Sequence, residues 1–181
     1  MSKLRPEVTS NDHIQGNVNA SVELVEYGDY ECPHCGRAYP IIKKIQKKMG
    51  DNLKFVFRNF PLSEVHPDAR MAATAAEAAD AQGKFWEMHD IIFENQNSLN
   101  YEDLMGYAES LGLDMDRFEK DFNSRKYSDR VDEDFETGLR SGVNGTPGFF
   151  VNGEKYNGIW EDTELLNFLQ SKVHVQQHQH H

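Results

Sequence analysis

Cys32 and Cys35 are the only thiols among the 181 residues of this chain, and they stand three positions apart in the stretch YECPHCG at 30–36. Three chemistries suit such a pair: half of a zinc site, an inert pair of small apolar residues, or reversible disulfide exchange. Zinc takes four ligands and there is no second cysteine pair, so a metal site would need His13, His66 or His89 to complete it. His34 lies inside the short loop and is badly placed to chelate alongside both sulfurs. Two cysteines cannot form a disulfide framework, and a chain of this length does not need one to fold. A CxxC beside a strand–helix–strand pattern reads foremost as a redox pair.

The neighbouring residues tune that pair. With Cys32 at the N-cap of a helix, Pro33 falls at N1, His34 at N2 and Cys35 at N3. Proline at N1 forfeits no helical hydrogen bond. The Cys32 sulfur then lies where unpaired N–H groups and the positive end of the helix dipole converge, which favours thiolate over thiol. Each pKa unit of depression is worth about 1.4 kcal/mol to the thiolate. A protonated His34 would add to this. Asp29 and Glu31, read as exposed like charges, oppose it by roughly 0.3–1 kcal/mol each. The balance favours the anion. Cys35, a turn deeper, is expected to be less exposed and to act as the resolving thiol. Stabilising the thiolate favours the dithiol over the disulfide, which makes the disulfide the better oxidant.

The elements that must hold this pair are legible on either side. Val22–Tyr27 is rich in strand formers, and Ala38–Met49 carries apolar residues at helical spacing before Gly50. Leu53–Arg58 alternates apolar and polar residues as a strand does. The CxxC therefore sits where a first strand meets a first helix. From His66 the pattern turns helical, with Pro67 at a first helical position, then Met71–Ala79, Phe85–Phe93 and a helix capped by Asn100 that stops at Gly112. Two more helices are expected near 114–122 and 126–140. Strand sequence resumes at 145–151, an Asn152-Gly153 hairpin turn and a return strand at 154–157 follow, and Glu161–Val173 reads as a closing helix. The end from His174, HVQQHQHH, reads as an irregular polar tail.

Bulk properties narrow the partners. The net charge is −11, and residues 63–141 hold 19 acidic against 8 basic side chains, so the excess lies in the helical middle. That balance argues against nucleic acid, since phosphate contacts need Lys and Arg. No run approaches the roughly 18 apolar residues that cross a bilayer, so no membrane insertion is expected. No apolar stretch follows Met1–Glu7, so no secretory leader is read and a cytoplasmic location is expected, or an extracytoplasmic one such as the periplasm if a leader has been removed.

Taken together, the strand-then-CPHC junction, RNFPL at 58–62, the helical middle and GTPGFFVNG at 145–153 resemble the DsbA-like branch of the thioredoxin superfamily, from about residue 13 to 173. The resemblance implies an α/β thioredoxin-like fold, a central mixed sheet flanked by helices. The domain would comprise 13–62 and 143–175, with an all-helical insertion at 63–142 over the active-site face and flexible termini at 1–12 and 176–181. It implies that Cys32 is the nucleophile and Cys35 its partner, and that Pro33 and His34 are the dipeptide of oxidising members. Thr146-Pro147 matches the cis-proline loop that pairs with substrate. Glu26 matches an acid beneath the disulfide that moves protons to and from Cys35; on its own pattern it is equally a partly exposed strand residue. The implied activity is a protein disulfide oxidoreductase acting on protein or peptide thiols and disulfides, with no metal or organic cofactor. Glutathione or a recycling reductase are candidates to reset the pair. The direction of electron flow stays open. So do two other readings: a glutathione-binding transferase or isomerase, and a non-enzymatic module that binds peptide or zinc.

Overall fold

A computed structural model describes residues 2–179, with side chains described up to Val173. Five strands form one mixed sheet: β1 (His13–Gly16), β2 (Val22–Gly28), β3 (Leu53–Asn59), β4 (Gly148–Val151) and β5 (Glu154–Tyr156). Their spatial order is β1-β3-β2-β4-β5. The central pair, β2 and β3, is parallel, with Leu24 opposite Phe55 and Glu26 opposite Phe57. The outer pairings are antiparallel, and Glu26 lies opposite Phe149 of β4. A parallel pair needs a crossover, which α1 (Pro33–Met49) and a 3₁₀ turn at Gly50–Asn52 supply. The antiparallel β4–β5 hairpin closes through Asn152 (φ 50°) and Gly153 (φ 85°), both in the left-handed region that Asn-Gly turns use.

Alternation along the strands divides the core in two. Val22 and Leu24, Phe55 and Phe57, and Phe149 and Val151 face one cluster with Cys32, Cys35, Ala38, Ile42 and Ile45. Val25, Tyr27, Val56 and Phe150 face the other with Phe60 and Val143. By the same period-two alternation Glu26 falls on the face of Leu24, beneath α1 and the cysteines. It is 3% exposed, so the alternative of a partly exposed strand residue is set aside.

Five helices lie between β3 and β4: α2 (Ala69–Asp80), α3 (Phe85–Phe93), α4 (Tyr101–Ser110), α5 (Met115–Phe122) and α6 (Arg125–Arg140). Asn100 caps α4 in a full capping box with Asp103. The chain ends in α7 (Glu164–Gln179), which continues through the start of the tail read as irregular; the side chains from His174 and the last two residues lie outside the described residues.

His13–Gly16, short and half polar, carries no strand signal of its own yet pairs with β3. Three sequence expectations need correction. Pro67 does not open α2, which starts two residues later at Ala69 because residues 65 and 66 turn back to bond the Leu62 carbonyl. Arg58 does not alternate outward to solvent: it is 3% exposed, bonded twice to Asp12 and once to the Tyr27 hydroxyl. Residues 2–4 are docked on β5 and do not hang free, with Leu4 N–H donating to Gly153 O at 2.8 Å and Lys155 N–H to Ser2 O at 3.0 Å; Leu4 is buried.

Candidate active site

Cys32 is the N-cap of α1, with Pro33 at N1 as the residue types require. Both thiols are free and buried. The Cys32 sulfur lies 3.8 Å from the carbonyl oxygen of Thr146, at the mouth of the Thr146-Pro147 loop, whose peptide bond is cis. The Thr146 hydroxyl is buried and has no protein partner of its own. Beside it, His34, Pro147, Phe149, Tyr156 and Trp160 line a cleft of about 370 Å³. The Cys35 sulfur sits deeper and accepts from the Asp29 N–H at 3.4 Å.

These surroundings drive the two sulfurs apart. The Cys32 pKa is lowered to about 5. A hydrogen bond from Cys35 contributes most, burial opposes, and the N–H groups of Cys35 and His34 add to the lowering. The helix terminus thus acts as expected, behind the Cys35 thiol. Burial pushes Cys35 well above the ordinary thiol value, reinforced by its bond to Cys32 and by the charges of Glu26 and Cys32. Glu26 is pushed up to about 8, by burial first and by Cys32 second, and its Oε2 has no hydrogen-bond partner. At neutral pH the site therefore holds one thiolate, one thiol and one carboxylic acid.

The charges around Cys32 differ from the expected set. The Nδ1 of His34 is turned to the Arg37 guanidinium on the exposed side of the helix start. Asp29 is not an exposed opposing charge. It is 1% exposed, its Oδ1 accepting from the N–H groups of Glu31 (2.7 Å) and Cys32 (3.1 Å), and its Oδ2 from Leu62 N–H (2.9 Å) and His66 Nδ1 (2.8 Å). Glu31 accepts from Asp68 N–H at 2.8 Å. Burial alone would lower the His66 pKa, but the Asp29 carboxylate outweighs it and raises it, with the charges of Cys32 and Glu31 adding.

Two groups escaped the sequence. Gln96, in the turn after α3, donates to the carbonyls of Tyr30 and Cys32, both at 2.9 Å, and so ties the helical middle to the thiol loop. No local pattern marks it. The Asp29–His66 pair had half a signal, because an Asp that bonds the N–H two residues on is a recurrent turn device. The histidines needed to complete a zinc half-site are engaged elsewhere: His13 with Glu77, His66 with Asp29 and His89 with the Tyr30 hydroxyl.

Comparison with known proteins fits this site. A family model described as thioredoxin matches residues 8–171, and the chain belongs to that family. Its mixed five-stranded sheet and its Cys32–Cys35 pair at the start of α1 are those of a thioredoxin-like fold. A thioredoxin-like oxidoreductase from Silicibacter pomeroyi superposes with a TM-score of 0.79 at 27% identity, covering 93% of this chain and 94% of that one. Oxidised BdbD from Bacillus subtilis superposes at 0.77 with 25% identity, covering 90% and 92%. A Na(+)/H(+) antiporter NhaA 1 from Salinispora arenicola is 46% identical over 155 residues, 86% of this chain but 24% of that protein. The chain thus spans about a quarter of the length of the curated relatives it matches. Among the described residues no helix is long and apolar enough to cross a membrane, and the antiporter name is not carried over.

Proposed function

We propose that the chain exchanges disulfides with protein or peptide substrates through Cys32 and Cys35, and that its disulfide acts as the oxidant. The observation that carries this reading is the separation of the two sulfurs: a thiolate at Cys32 under the Thr146-Pro147 loop and a buried thiol at Cys35. A low-pKa sulfur leaves readily and stabilises the dithiol product, which drives oxidation of the substrate.

A substrate thiolate attacks the Cys32 sulfur of the disulfide, forming a mixed disulfide and releasing Cys35 as thiolate. Cys35 takes a proton from the Glu26 carboxylic acid. A second substrate thiolate attacks the substrate sulfur of the mixed disulfide and expels Cys32 as thiolate. The substrate loses two electrons and the enzyme gains them. In reverse, Cys35 returns its proton to Glu26 and attacks the mixed disulfide. Cys32 carries no charge while it is bonded to substrate, so its raising effect on Glu26 is then gone, and a larger share of Glu26 stands as carboxylate, available to take the proton when Cys35 must ionise. The open cleft beside Pro147 gives an extended peptide room beside the sulfur.

The test is turnover of a dithiol peptide with glutathione disulfide as oxidant. Cys32→Ser is expected to abolish it, and Cys35→Ser to accumulate a mixed disulfide visible by intact mass. Undiminished turnover by Cys32→Ser defeats the proposal. Equilibration with glutathione then fixes the direction.

A further inference from the structure

We infer that His66, held on the buried carboxylate of Asp29, is the cation that faces the reactive sulfur of Cys32, and that ionisation of this sulfur is linked to the proton on His66. The inference rests on reading Cys32 as the exchanging sulfur.

The geometry is specific. The Asp29 side chain is fully buried and that of His66 is 19% exposed. One carboxylate oxygen accepts from the backbone N–H of Cys32, the other from His66 Nδ1. A buried carboxylate bonded to the backbone N–H of Cys32 opposes ionisation of that residue's sulfur unless a positive charge cancels it. The Nδ1 of His34 is turned to Arg37, whereas that of His66 is bonded to this carboxylate.

The loop between β3 and α2 is tethered so as to deliver His66. Val65 and His66 N–H both bond the Leu62 carbonyl, Leu62 N–H bonds Asp29, and Asp68 N–H bonds Glu31. Two of these four bonds close the turn that carries His66, and two tie its flanks to Asp29 and Glu31, just before Cys32. The charges that raise the His66 pKa are those of Asp29, Cys32 and Glu31, all of them acidic. With His66 protonated the Asp29–His66 pair is neutral. Once it loses its proton, a net negative charge remains beneath Cys32. His66 does not touch substrate; it acts through Asp29 and the local field, and is a positioning residue.

Linkage makes the effect reciprocal. A thiolate at Cys32 raises the proton affinity of His66, and formation of the disulfide removes that charge. Oxidation is then accompanied by a downward shift of the His66 titration, an event that a purely structural histidine would not show.

The experiment follows the His66 ring proton by NMR against pH in the unaltered protein as dithiol and as disulfide, and in Cys32→Ser. The expected midpoint is higher in the dithiol than in the disulfide or in Cys32→Ser by about half a pH unit or more, a threefold change in proton affinity. In parallel, thiolate absorbance of His66→Gln is expected to move the Cys32 midpoint up by about half to one unit, three- to tenfold, with an equal fall in the equilibrium constant against glutathione. Superimposable His66 curves in dithiol and Cys32→Ser overturn the inference, whether or not His66→Gln folds. An unaltered protein whose pair never equilibrates with glutathione instead refutes the exchange reading, while the comparison of dithiol with Cys32→Ser still decides the linkage.

Discussion

Replacing Glu26 by Gln removes an acid that the fold holds in its protonated form. In the unfolded chain its pKa is 4.5, and in the folded protein about 8. Between these values the folded state keeps a proton that the unfolded state releases, so the contribution of Glu26 to stability falls as pH rises. The slope is about 1.4 kcal/mol per pH unit, and at about pH 7.5 the accumulated loss is about 4 kcal/mol. Glutamine is close to isosteric, carries no charge and escapes this loss, at the expense of burying an amide whose partners are lacking, about 1–3 kcal/mol at every pH. Urea unfolding of the reduced protein and of Glu26→Gln, from about pH 5 to about pH 8, isolates the effect as a difference. The variant is expected to gain on the unaltered protein as pH rises, becoming the more stable of the two near neutrality, with unchanged m-values. Cys32 has the opposite sign, since its pKa falls from 9.0 to about 5 on folding, and in the unaltered dithiol the two terms nearly cancel over about pH 5–8. A stability difference that does not vary with pH refutes the picture of a buried, protonated Glu26.

Gly36→Ala should gain about 1 kcal/mol of helix propensity, but its Cβ would fall 2.0 Å from Gln96 Oε1 and evict that side chain from two carbonyls. At about 0.5–1.5 kcal/mol per lost bond, plus the unsatisfied carbonyls, the variant is expected to be destabilised, whereas in a Gln96→Ala background it stabilises; equal effects in both backgrounds on urea unfolding sink the argument. Gly138→Ala places a Cβ 2.6 Å from the Phe60 ring and 3.1 Å from that of Tyr27. Overpacking of about 1–3 kcal/mol exceeds the helical gain, and a raised melting temperature would contradict it. Arg58→Met strands the carboxylate of Asp12, and a loss of about 3–5 kcal/mol is expected, larger than for the double variant with Asp12→Asn; thermal melts of both decide.

The thiol site was legible as far as local rules reach. Pro33, the three-residue spacing of the cysteines and the strand before them place Cys32 at a helix start, because capping and proline preferences act within one turn. The period-two alternation that puts Glu26 under Cys35 was present in VELVEY, but the face it takes depends on which side α1 packs, a tertiary fact. Gln96 and His66 reach their partners across 64 and 37 residues, and no propensity or periodicity encodes such contacts. The same limit misread Arg58 and Asp29 as solvent-facing: a charge looks exposed until its buried counter-charge is known. His13–Gly16 fell below the length at which alternation separates from chance.

The docked residues 2–4 have a consequence for solubility. A sheet margin with free amides invites a foreign extended chain to add on, the first step of end-to-end stacking. Here Ser2 and Leu4 occupy that row on β5, so residues 2–4 guard this flank of the sheet.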